Sequence, residues 1–142
     1  MTDGDPDVAR IAAELRLAIG RLVRQVRKEA SLPTGQAAVL GHLDRTGPMT
    51  TSELAAAERV RPQSMARTVA QLVALGLVQQ APHPSDRRKV LLSASPAGRA
   101  ALEEQRERRT GWLAEAIAQR LSPAEQKVLA RSVELLGRLT ER

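Results

Sequence analysis

Apolar residues recur along this chain with helical spacing at both ends and with mixed spacing in between. Val8, Ile11, Ala12, Leu15, Ile19, Leu22, Val23 and Val26 fall three and four positions apart, which predicts an amphipathic helix over residues 8–30 whose other face is rich in arginine. Ser31-Leu32-Pro33 breaks that helix. A second is expected from about residue 34 to 44, with Ala37, Val39, Leu40 and Leu43 toward a core, and Thr46-Gly47-Pro48 ends it. Thr50-Thr51-Ser52-Glu53 sets a hydroxyl three residues ahead of a carboxylate, the spacing of a capping box, and opens a short helix through Leu54, Ala55 and Glu58. Arg59-Val60-Arg61 connects it to a further helix that takes Pro62 in its first turn, runs to about Leu75 and stops at Gly76.

The period then changes. Residues 77–80 suit a short strand, residues 82–86 a loop, and residues 89–94 a second strand whose Val90, Leu92 and Ala94 alternate onto one face. Ser95 followed by Pro96 is a helix start, and the helix it opens should continue to about Leu121. Its middle, from Glu103 to Arg109, is wholly polar and is expected to be solvated. Ser122-Pro123-Ala124-Glu125 is another capping box, and Val128, Leu129, Val133, Leu135, Leu136 and Leu139 form an apolar stripe on the last helix. The expected fold class is mainly α with a small β-hairpin, an α+β arrangement, and 142 residues suit one domain without internal repeats.

Composition narrows the function. Hydrophobic residues make up 42% and charged residues 27%, and no apolar run approaches a membrane span, so a soluble chain without membrane association is expected. The acidic N-terminal segment lacks the basic and apolar regions of a secretory signal, which points to the cytoplasm. With no cysteine, disulfides, thiol chemistry and cysteine-ligated zinc are excluded, and His42 and His83 alone do not build a metal site. No histidine neighbours a nucleophile and no glycine-rich phosphate loop is present, so neither an enzyme nor a cofactor is expected.

Charge is distributed unevenly. From Arg59 to Gly98, Arg59, Arg61, Arg67, Arg87, Arg88 and Lys89 oppose only Asp86, a net of +5 out of +6 for the whole chain. That concentration is the footprint of a polyanion-binding surface. On the helix beginning at Pro62, Met65, Ala66, Val69, Leu72 and Val73 share one face, while Gln63, Ser64, Arg67, Thr68 and Gln71 share the other. The second face carries hydrogen-bonding groups and a cation but no carboxylate. Arginine can bridge guanine O6 and N7, glutamine can pair with adenine, and hydroxyls reach bases or phosphates, so this face suits base readout. Ser85-Asp86-Arg87-Arg88-Lys89 adds a basic hairpin tip able to enter a minor groove or grip phosphates. The lack of Phe and Tyr argues against single-stranded nucleic acid, which is usually held by stacking. A winged-helix protein–protein interaction module is the alternative reading.

The run Ser52-Glu53-Leu54-Ala55 through Val60-Arg61-Pro62-Gln63-Ser64-Met65-Ala66-Arg67 leads to Leu72-Val73-Ala74-Leu75-Gly76-Leu77-Val78. With Asp86-Arg87-Arg88-Lys89 and Ser95-Pro96-Ala97-Gly98, it resembles the MarR (multiple antibiotic resistance regulator) family. The resemblance implies one domain over residues 1–142, with a winged helix-turn-helix over 34–94 and dimerisation helices over 8–30 and 97–142. It implies a homodimeric transcription regulator, usually a repressor, relieved in many relatives by a small-molecule effector. The helix over 62–75 would enter the major groove and the wing over 81–89 the minor groove of a pseudo-palindromic double-stranded DNA operator. Carried onto matching positions, it makes Arg61, Gln63, Ser64, Arg67 and Thr68 recognition contacts, Arg88 the wing-tip residue, Asp86 the residue orienting it, and Arg87 a backbone contact.

Three positions depart from the family pattern. Glu58-Arg59 stands where an apolar residue and glycine are common, Gln79-Gln80 where a basic residue is common, and Ala94 where leucine is usual. A left-handed Arg59 would cost about 1–2 kcal/mol. No aromatic cage for an effector is available, since Trp112 is the single aromatic residue, and a tryptophan in this setting is more often core than ligand platform.

Overall fold

The computed structural model describes residues 4–141; residues 1–3 of the acidic N-terminal segment and residue 142 lie outside them. The elements are α1 (Val8–Arg27), α2 (Thr34–Thr46), α3 (Thr51–Glu58), α4 (Pro62–Ala74), β1 (Val78–Pro82), β2 (Val90–Ala94), α5 (Pro96–Arg120) and α6 (Pro123–Arg138). They divide into two compact units, one of residues 30–107 and one of residues 1–29 with 108–142, and α5 contributes to both.

The core of the first unit is drawn from every element within it. Leu40 of α2, Leu54 of α3, Leu72 of α4 and Leu92 of β2 lose essentially all their accessible surface, and Leu102 closes the core from α5. The hairpin is antiparallel, with Val78 opposite Ala94 and Pro82 opposite Val90. Pro82 is tolerated because it holds a non-hydrogen-bonded position of the antiparallel pair, next to the His83 N–H that bonds to the Lys89 carbonyl, so its missing N–H removes no ladder bond. Met49 joins the hairpin through two backbone bonds with Leu92, of 3.0 and 2.8 Å, so the connection before α3 is tied to the wing's base. This tie has no local sequence signal.

Ser95 organises the passage into α5. Its hydroxyl donates to the Gly76 carbonyl at 2.6 Å and accepts from the Gly98 N–H at 3.0 Å, so one buried side chain caps α5 and holds the end of α4. A Cβ on Gly98 would lie 2.0 Å from the Leu77 carbonyl oxygen. Only glycine fits that approach.

Several boundaries and faces differ from the sequence expectation. α1 ends at Arg27, where Lys28 and Glu29 turn their N–H groups back to Gln25 and Val26. α2 runs on to Thr46, and Gly47 takes a positive φ of 89° just beyond it. β1 is shifted to Val78–Pro82, and Val90 of β2 is exposed near the wing tip. Ala66 lies on the exposed side of α4, and Val73 is only half-buried. The polar run in α5 is not wholly solvated: Gln105 is 1% exposed, and its Oε1 accepts the Leu32 N–H at 2.9 Å. Arg106 reaches Asp44 at 3.3 Å, and Arg109 Nε is shielded from solvent. Tertiary partners, the Leu32 N–H and the Asp44 carboxylate, account for the Gln105 and Arg106 placements, whereas Arg109 Nε is shielded without a hydrogen-bond partner.

In the second unit, Asp7 caps α1 by accepting from the Arg10 N–H at 3.1 Å. Ser122 and Glu125 form a reciprocal capping box on α6. Trp112, Leu113, Ala116 and Ile117 of α5 are half-buried. Neither α1 nor α6 has a buried residue, and Ile11, Leu22, Val133 and Leu139 remain substantially exposed. Among the described residues, no helix is long and apolar enough to cross a membrane.

Candidate nucleic-acid interface

The interface begins at the start of α3. Thr50 Oγ1 accepts from the Glu53 N–H at 3.2 Å, and Glu53 returns a carboxylate oxygen to the Thr50 N–H at 3.1 Å. Those bonds, the Thr50 backbone N–H foremost and its hydroxyl next, hold the Glu53 carboxyl below its ordinary pKa against a smaller opposing effect of burial. The cap satisfies donors that the first helical turn leaves open, and so fixes where α3 starts.

The turn into α4 is built on a non-glycine residue in a glycine conformation. Arg59 has φ 54° and ψ 43°; its N–H bonds to the Ala56 carbonyl and the Val60 N–H to the Ala55 carbonyl. This overlapping pair satisfies carbonyls at the end of α3, which offsets part of the cost of about 1–2 kcal/mol for the left-handed residue. Glu58 pairs with His42 of α2 across the same turn. The two residues that depart from the family pattern therefore act together: one takes the turn, and the other ties α3 to α2.

On α4, Met65, Val69 and Leu72 are buried, while Gln63, Ser64 and Arg67 are exposed on the far side, and Arg61 is exposed at the N-cap. Thr68 is half-buried and its hydroxyl donates to the Ser64 carbonyl at 3.2 Å. A Cβ on Gly35 of α2 would meet it at 3.9 Å. Gln71 accepts from Gln36 Nε2 at 3.5 Å.

At the wing, Arg87 and Arg88 are exposed, the latter with a side chain 92% accessible. Asp86 Oδ1 accepts the Arg88 backbone N–H at 3.0 Å and faces Arg88 Nε at 3.4 Å. The backbone bond is the first cause of the lowered Asp86 pKa; burial opposes it, and the Arg88 side chain, Lys89 and His83 add to it. Asp86 is thus a charged carboxylate that fixes the turn preceding the cation, an arrangement known from Asx turns.

Sequence reasoning gave no separate part to two features. A cleft of about 280 Å³ is lined by Thr50, Thr51, Ser52, Arg88, Lys89 and Val90, which sets hydroxyls from the start of α3 beside two wing cations. His83 folds into the wing loop and accepts from its backbone. Cation spacing hinted at the first feature; nothing in the local sequence separates the second from a surface histidine.

A capped helix, a tight turn, a second helix with a carboxylate-free outer face and a basic two-stranded wing define a winged helix-turn-helix protein. The chain belongs to the MarR family of DNA-binding transcriptional regulators, and it is not an enzyme. The MarR family model matches residues 30–89. An HTH-type transcriptional regulator of Mycobacterium tuberculosis is 41% identical over 144 residues, covering 99% of this chain and 98% of the relative. A crystal structure of a Pseudomonas aeruginosa protein assigned to the transcriptional regulators is 34% identical, with a TM-score of 0.81, over 98% of this chain and 99% of that one. The fold is shared with a Staphylococcus aureus MepR mutant bound to an oligodeoxyribonucleotide, at 15% identity and a TM-score of 0.69 over 92% of this chain and 98% of that one.

Proposed function

We propose that this regulator is a homodimer that binds a pseudo-palindromic duplex operator sequence-specifically, through α4 in the major groove and the wing in the minor groove. The observation that carries this reading is the outer surface of the winged unit. Arg61, Gln63, Ser64 and Arg67 are exposed without an intervening carboxylate, and Arg87 and Arg88 extend from a wing whose one acid, Asp86, is engaged in holding its turn. Thr68, with its hydroxyl directed to the helix backbone, contributes a methyl or a flanking contact rather than a long reach. The MepR mutant of the same fold, bound to an oligodeoxyribonucleotide, supports the reading.

Dimerisation is supported by the uncovered stripes of α1 and α6, which a second copy would bury about a two-fold axis; α5 from residue 108 onward belongs with them. Two copies would read half-sites about one helical turn, ~10 bp, apart. Acting on operator DNA in the cytoplasm, such a dimer would serve as a repressor by occluding a promoter, with a small-molecule effector releasing it.

Gel-shift titration against duplex from upstream of the protein's own gene tests this reading. Arg88→Ala should weaken binding and lower the slope of log affinity against log salt by about one, as expected for one lost phosphate contact. Arg67→Ala should instead lose about 1–3 kcal/mol of discrimination at one base pair. Binding no tighter than to random duplex at moderate salt would overturn the proposal in favour of a protein-binding winged helix. Transcription from that promoter should rise when the gene is deleted; a fall would replace repression by activation.

A further inference from the structure

The loop of the wing is held from inside by a histidine. His83 Nδ1 lies 3.1 Å from the Asp86 backbone nitrogen, 3.2 Å from that of Ser85 and 3.3 Å from the Ser85 hydroxyl. Backbone N–H groups only donate, so Nδ1 is the acceptor and the ring proton of the neutral imidazole sits on Nε2. A protonated ring carries hydrogen on both nitrogens and accepts nothing; two loop amides would then lose their partner together. The same residue is built into the strand end, because its own N–H donates to the Lys89 carbonyl at 3.2 Å and the Lys89 N–H donates to the Asp86 carbonyl at 3.1 Å. Asp86, whose N–H the ring holds, in turn holds the Arg88 N–H.

We propose that His83 is a positioning residue for DNA binding: its neutral, Nε2-protonated ring shapes the wing loop so that Asp86 aims Arg88, and protonation of the ring releases that arrangement. The inference rests on the reading of the wing as a duplex-binding element. It makes operator affinity fall on acidification, opposite to the rise expected of a histidine that meets phosphate directly. The charged groups around it are the carboxylates of Asp86 in the loop and Glu53 on α3, both within electrostatic range of His83 and Lys89, and Arg87 and Arg88, which follow in the chain.

The test uses the full-length protein, labelled with ¹⁵N, from pH 8 to 5.5, the span in which imidazoles titrate. Affinity for a duplex from upstream of its own gene is measured at constant ionic strength. Wild-type affinity should fall about tenfold over that range, equivalent to about 1.4 kcal/mol. His83→Asn keeps an acceptor at a similar reach that does not titrate, so it should match the wild type at pH 8 and lose much less on acidification. His83→Ala should bind weakly at pH 8 and show the same flat profile. His42, paired with Glu58, is present in all three proteins and cancels in the comparison.

In the free protein, the ring should show hydrogen on Nε2 and not Nδ1 at pH 8, and the amide signals of Ser85, Asp86 and Arg88 should titrate with it. An Nδ1–H tautomer at pH 8, amides indifferent to the ring's titration, or wild-type affinity that rises on acidification would each overturn the proposal. A wild-type protein that fails to bind specific duplex at pH 8, with ring and amide titrations as expected, would overturn the duplex reading while supporting the hydrogen-bonding role of His83.

Discussion

The helices of the winged unit and the terminal helices are written with similar apolar spacing, yet only those of the winged unit bury what that spacing lines up. Leu40, Leu54 and Leu72 are fully enclosed, whereas Leu22 of α1 is 45% exposed and Leu139, just beyond α6, is 72% exposed. Full burial of such a side chain contributes about 1.5–3 kcal/mol, so the stripes of α1 and α6 hold apolar surface whose burial is still to be gained. Periodicity reports that a face exists; what covers it is decided elsewhere. In the first unit the cover comes from the same chain, and in the second it is proposed to come from another copy.

A pair of substitutions separates these cases, with the largest effect expected in the core. Leu40→Ala should cost about 2–5 kcal/mol in chemical denaturation, because an enclosed site with Leu54 and Leu72 in the same cluster leaves a cavity. Leu22→Glu opens no cavity, since the residue is already partly exposed. It should instead produce a monomer by light scattering at concentrations where the wild type is dimeric, and weaken operator binding accordingly. A Leu22→Glu protein that remains dimeric and tightly bound to DNA would break the comparison and move the interface off that stripe.

Both capping boxes and the Ser95-Pro96 start are legible because their partners are three residues away or fewer, and local spacing is what a sequence displays. The hairpin pairs residues 8 to 16 positions apart and is legible instead through the alternation of Val90, Leu92 and Ala94 and the loop residues before them. Gln105 is not: its partner is the Leu32 N–H, 73 positions earlier in the chain, and a glutamine between charged residues carries no mark of burial. The Met49–Leu92 bridge and the His42–Glu58 pair are hidden likewise by separation. On α4 the exposed positions of Gln63, Ser64 and Arg67 agree with the helical face, but Ala66 sits outside and Thr68 partly inside, where Gly35 of α2 faces the Thr68 side chain. His83 escapes sequence reading because its role depends on backbone donors, which every residue possesses.

A smaller contrast lies among the positive-φ positions of the winged unit. Gly47 and Gly76 take φ of 89° and 73° without a side chain to strain, whereas Arg59 takes 54° with one. Arg59→Gly should relieve a strain of about 1–2 kcal/mol while giving the unfolded chain more freedom, for a net stabilisation of about 1 kcal/mol. Thermal and urea unfolding would measure it. If operator affinity falls as stability rises, the arginine is kept for its charge beside the duplex; unchanged affinity would leave the His42–Glu58 tie as what the turn contributes.

The smallest effect is expected from acid, and it compares one motif in the two units. Glu53 and Glu125 both have carboxyl pKa values lowered from the ordinary 4.5, each first by the backbone N–H and then by the hydroxyl of the cap residue, Thr50 or Ser122. A carboxyl lowered on folding contributes stability that is complete above its unfolded value and is lost as pH falls through the folded one, so both boxes weaken below about pH 4.5. Glu53→Gln and Glu125→Gln should each flatten part of the decline in stability between pH 5 and 3. Thr50 is buried against the wing's base, so loss of its box should register in the global unfolding transition. Ser122 opens a helix without a buried residue, and its loss should first appear as faster hydrogen exchange at the start of α6. Equal effects of the two variants on global unfolding would mean that α6 is as firmly coupled to the fold as α3, which is the outcome expected if the dimer is the folding unit.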